Sequence, residues 1–99
     1  MAVFRLSRLA EADMIDIGTY TLRPWGLDQT IRYVDDLENC CQSLAEKPAS
    51  GLPCDQIRAG LRRIEKGRHV VFFRKEPGGV FISRVLHERM LPEHAADDD

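Results

Sequence analysis

The sequence predicts an α+β domain: a short N-terminal strand, then an antiparallel two-helix hairpin packed on one face of a C-terminal three-strand antiparallel sheet. Three observations carry that expectation. Apolar residues recur at helical spacing through residues 10–44, the period shifts to two after residue 60, and proline- or glycine-containing stretches fall where the pattern changes. A chain of 99 residues has one core's worth of apolar surface, so a single domain over residues 1–91 is expected. Residues 92–99 are acidic and are expected to form a disordered tail.

Val3 to Leu6 reads as a strand, and Ser7 as the helix N-cap that follows it. In "RLAEADMIDIGTYTL", Ala10, Met14, Ile17 and Thr21 lie on one helical face, with Glu11, Asp13 and Asp16 off it. Pro24 lacks a backbone donor and Gly26 loosens the chain, so "RPWG" is expected to turn the chain into a second helix over residues 27–46. That helix carries Thr30, Val34, Leu37, Cys41 and Leu44 on one stripe, and Pro48 marks its end. Trp25 is expected to cap the contact between the helices.

After the turn-rich "KPASGLPCD", residues 60–66, 68–75 and 80–87 read as strands joined by the glycine turns "EKG" and "EPGG". The middle strand is apolar on both sides, with Val71 and Phe73 facing one way and Val70 and Phe72 the other. A helix pair covers one face of so small a sheet. The second face is expected to need either the chain's own ends or another protein.

Composition excludes several classes. With 43% apolar and 30% charged residues the chain falls in the globular range, and no apolar run approaches the ~20 residues of a membrane helix. The N-terminus has no signal-peptide pattern, and Cys40, Cys41 and Cys54 show neither metal-site nor disulfide-framework spacing, so a cytoplasmic protein with packed, reduced thiols and no metal or other cofactor is expected. The net charge of -2 conceals a segregation. Residues 1–56 carry five basic and nine acidic side chains, residues 57–89 nine basic and three acidic, and residues 90–99 four acidic and none basic. A basic surface on the sheet, offered to an acidic partner, is the expected result.

The segments "LSRLAEADMIDI", "WGLDQTIRYVDDL", "LAEKP", "DQIRAGLRR", "GRHVVFFR" and "ISRVLHERM" run in order from residue 4 to residue 90. Together they resemble the ParE branch of the RelE/ParE toxin superfamily. The resemblance implies a RelE/ParE-like fold and the toxin of a type II toxin-antitoxin system. It implies a toxin that inhibits DNA gyrase, blocking replication and growth, and that is neutralised by a ParD-like antitoxin. That partner is expected to pair a ribbon-helix-helix half with a flexible C-terminal segment, and to be the route by which the complex reaches operator DNA. No membrane partner is implied.

The superfamily's RelE-like branch consists of ribosome-dependent mRNA endonucleases, and that activity is the alternative. Such chemistry needs phosphate-binding cations and an acid/base set near the end of the sheet. Here both tyrosines, Tyr20 and Tyr33, fall in the helical half, leaving Arg84, His87 and Arg89 of "RVLHERM", with Glu65 as a base across the sheet. The set is incomplete, so a protein inhibitor without catalytic residues is expected. Charge segregation and strand placement nominate Arg62, Arg74, Arg84, His87, Arg89 and Met90 as contacts to target or antitoxin.

Overall fold

The computed structural model describes residues 2–90. The acidic tail expected at residues 92–99 lies outside them. In chain order the elements are β1 (Val3–Leu6), α1 (Arg8–Glu46), a 3-10 turn (Pro48–Ser50), β2 (Leu52–Pro53), β3 (Arg62–Lys66), β4 (His69–Glu76) and β5 (Gly79–His87).

The helical part corrects the expectation of two helices separated by a four-residue turn. It is one span, Arg8–Glu46, that passes through Pro24 and departs from helical angles at Gly26, where φ is 78° and ψ 173°. A left-handed φ is open to glycine and costly for other residues, which is why the break falls there rather than at Pro24. A straight helix of 39 residues would be about 58 Å long. The molecule's longest extent is 37 Å, so the span bends sharply and both limbs reach the same core. Ser7 begins it as expected, its hydroxyl accepting the Ala10 N–H at 2.9 Å.

The sheet corrects the second expectation. It has five strands in the order β1-β5-β4-β3-β2 and is mixed, because β1 runs parallel to β5 while the other pairs are antiparallel. The hairpins β3–β4 and β4–β5 were legible as a meander and β1 as a strand; the place of β1 in the sheet, and β2 altogether, were not. β2 is two residues long and holds Pro53, which only an edge strand tolerates. β1 pairs with a strand about seventy residues away, a partnership no local pattern announces.

Opposite Phe72 and Phe73, β5 carries one residue too many: Phe72 pairs with Arg84 and Phe73 with Ile82, leaving Ser83 as a bulge. Ser83 is held there from two sides. Its carbonyl accepts the Ser7 hydroxyl at 2.7 Å and its own hydroxyl donates to the Phe72 carbonyl at 3.2 Å. The slip lets Ile82 and Val85, an odd number of residues apart, face the same core.

That core joins Ala10, Ile17, Leu37, Cys41 and Leu44 of α1 to Val71, Phe73, Val80, Ile82 and Val85 of the sheet. The helical stripes read from spacing are the buried ones. On the opposite face Val70, Phe72 and Leu86 pack under Cys54, Ile57 and Leu61. This corrects the expectation that the chain's ends or another protein would be needed there: the chain's own internal 54–61 connection covers those side chains. Phe81, on β5, is covered differently, lying between its two cross-strand neighbours, with the Arg5 guanidinium 4.8 Å and the Arg74 guanidinium 4.4 Å from its ring centre.

Candidate functional site

Where α1 bends away from the C-terminal end of β5, the two elements leave a cleft of about 700 Å³. Its helical wall presents Asp13, Asp16, Tyr20 and Trp25, and its sheet wall Arg68, His69, Arg84 and His87.

The floor is an ion pair. Arg84 donates to both Asp13 carboxylate oxygens, Nε at 2.8 Å and Nη2 at 2.9 Å, and the Val85 N–H adds a third bond at 2.9 Å. Both side chains are 12% exposed. A forked pair this shielded is fixed in direction, so it joins α1 to β5 rather than offering a mobile charge.

Tyr33 builds the next layer. Its ring packs T-shaped with Trp25, with centroids 5.7 Å apart, and leans on His69 at 5.6 Å. The hydroxyl accepts the Arg68 N–H at 3.1 Å and lies 2.6 Å from His69 Nδ1. With one lone pair occupied by that amide, the Tyr33 hydrogen goes to Nδ1 of a neutral imidazole, which places the ring hydrogen on Nε2. Burial, reinforced by the neighbouring His87, holds His69 below the ordinary imidazole pKa, while burial raises Tyr33 above the usual phenol value. His87 stands edge-on to His69 with ring centres 5.5 Å apart, and its Nδ1 accepts the Arg89 N–H at 3.2 Å. Each imidazole is thus anchored through Nδ1.

Of the six nominated residues, the structure brings Arg84, His87 and Met90 to this cleft. Arg89 is exposed beside it, at the end of β5. The other two are elsewhere. Arg62 donates to the Gly51 carbonyl at 2.6 Å and ties β3 to the segment before it, and Arg74 stacks on Phe81. Glu65 is exposed on β3 and does not line the cleft. The expected single basic patch is therefore divided between the two faces.

Comparison with known proteins decides the family. The profile described as "ParE toxin of type II toxin-antitoxin system, parDE" matches residues 4–92. The chain belongs to the ParE toxin family. Toxin ParE1 of Caulobacter vibrioides is 44% identical over 90 residues, covering 91% of this chain and 93% of that protein. Toxin ParE1 of Mycobacterium tuberculosis is 36% identical over 88 residues, covering 88% and 90%. A solved structure titled "Chromosomal ParDE TA system from P. aeruginosa" superposes with a TM-score of 0.73 at 20% identity, over 88% of this chain and 96% of that one, which shows a shared fold.

In this ParE-family chain, sequence reasoning missed Asp13, Tyr33 and His69. The helical spacing placed Asp13 off the core face, where a solvent-facing role looked sufficient. Tyr33 was set aside for lying in the helical half, yet the bend at Gly26 brings the second limb against the β3–β4 turn. "GRHVVFFR" was the available signal, since a histidine directly after a glycine turn stands at a strand end.

The cysteines behave as packed thiols. Burial raises all three above the ordinary thiol value, Cys41 to about 12, so none is poised as a nucleophile. No group of three or more candidate metal ligands occurs among the described residues, and no described helix is long and apolar enough to cross a membrane.

Proposed function

We propose that this chain inhibits DNA gyrase, halts replication and growth, and is neutralised by a ParD-like antitoxin through which alone the complex reaches operator DNA. The observation that carries this reading is the ParE family match over nearly the whole chain, with 44% identity to a curated toxin. The inhibitor acts by protein contact in the cytoplasm and without catalysis. His87, Arg89 and Met90, grouped at the end of β5, are its contact residues, and Arg84 supports them through Asp13. Arg62 and Arg74 serve the fold, since both have intramolecular work on other parts of the sheet.

The test is a supercoiling assay with purified gyrase. Inhibition, or accumulation of cleaved DNA, that disappears on adding the cognate antitoxin is expected. Undiminished supercoiling at saturating toxin, together with mRNA cut on translating ribosomes, would replace this reading with the endonuclease one.

A further inference from the structure

The cleft holds more chemistry than a protein-contact surface needs. Tyr20 is 78% exposed and Trp25 37% exposed, so two aromatic side chains are accessible on one wall. Facing them are Arg68 and two imidazoles whose Nδ1 atoms are already engaged, which leaves Nε2 of each as the nitrogen available to a ligand. The Asp13–Arg84 pair satisfies both Asp13 carboxylate oxygens within the fold.

We propose that this cleft binds one nucleotide of a single-stranded nucleic acid, its base against Tyr20 and Trp25 and its phosphate against Arg68, His69 and His87. Aromatic platforms beside a cationic track are what single-strand binding requires, because every base has a π-face and every linkage a charge. The volume of about 700 Å³ lies within the range of small-ligand sites. Asp16 on the helical wall, across from the cations, can accept a base amine or a sugar hydroxyl, groups that a nucleotide offers and an acidic side chain lacks. The groups facing the two rings are Asp13, Asp16 and Tyr33 from α1, Arg68 from the β3–β4 turn, Arg84 from β5 and Glu88 beyond it.

Trp25 is the chain's single tryptophan and therefore its own reporter. The full chain is titrated with an oligothymidylate of about eight nucleotides, a length within the range of small single-strand sites. Saturable quenching is expected, weakened about tenfold by Tyr20→Ala, Arg68→Gln or His87→Gln, the loss of one stack or one phosphate contact. Arg63→Gln, outside the cleft, keeps the wild-type affinity. Thermal melts of each variant establish that it is folded. No saturable quenching, equal quenching by a glutamate-rich peptide of the same length, or unchanged affinity in folded cleft variants overturns the proposal. Binding is read on the isolated protein, so its failure and that of gyrase inhibition are separate results.

Discussion

Asp13 is a single carboxylate with three hydrogen bonds, two from Arg84 and one from the Val85 amide. Removing either partner leaves a shielded charge uncompensated, at a cost of roughly 3 kcal/mol. Arg84→Ala and Asp13→Ala should each lower the urea midpoint by a corresponding amount, and the double variant should cost less than the sum. A loss of toxicity in Arg84→Ala is then a folding effect, which Arg89→Ala, on an exposed side chain, avoids. His69 adds a pH dependence. Its folded pKa lies below its unfolded value, so above the ordinary imidazole range, about 6.5, both states are neutral and its contribution is complete. As pH falls the unfolded chain takes up the proton first, and stability declines until the pH passes below the folded pKa. Denaturant melts across that window should show the decline in the native chain and a flatter profile in His69→Gln.

At the scale of elements, glycines at two turns separate backbone strain from steric conflict. A methyl at Gly26 would meet nothing within 4 Å, so Gly26→Ala carries only the backbone penalty of a region essentially reserved for glycine, about 1–3 kcal/mol. Gly67, with φ of 61°, would also push its methyl to 2.7 Å from the Tyr33 ring. Gly67→Ala should therefore add to its backbone penalty the displacement of Tyr33 and His69, visible as a changed Trp25 emission. Elements of this kind were partly legible. The stripes of α1 and the strands β3, β4 and β5 follow from period and turn residues, because burial on one face is a local pattern. The Ser83 bulge, the parallel pairing of β1 and the two-residue β2 were illegible, because each exists through a hydrogen-bonded partner on another strand rather than through a pattern of its own.

For the whole molecule, charge segregation predicted one basic face and the fold divided it. Arg62 and Arg74 point to local duties that composition cannot reveal, whereas His87, Arg89 and Met90 were nominated by position and do meet at one end of the sheet. His87→Gln, Arg89→Ala and Met90→Ala should each reduce gyrase inhibition with melting temperature unchanged. Arg62→Ala should lower the melting temperature by a few degrees, in line with a loss of about 1 kcal/mol, and leave inhibition by the folded fraction intact.

β5 is the last strand among the described residues and yet sits inside the sheet, between β1 and β4. Val3 lies so close to Gly79 that a methyl there would fall 1.7 Å from its carbonyl oxygen. During translation the opening strand therefore waits, unpaired, until the final stretch leaves the ribosome tunnel. A product of stalled synthesis that stops short of residue 79 lacks the floor beneath α1, the mate of Asp13 and one of the two imidazoles all at once. Such fragments cannot close the sheet, so a chain cut before residue 79 should show no cooperative melt.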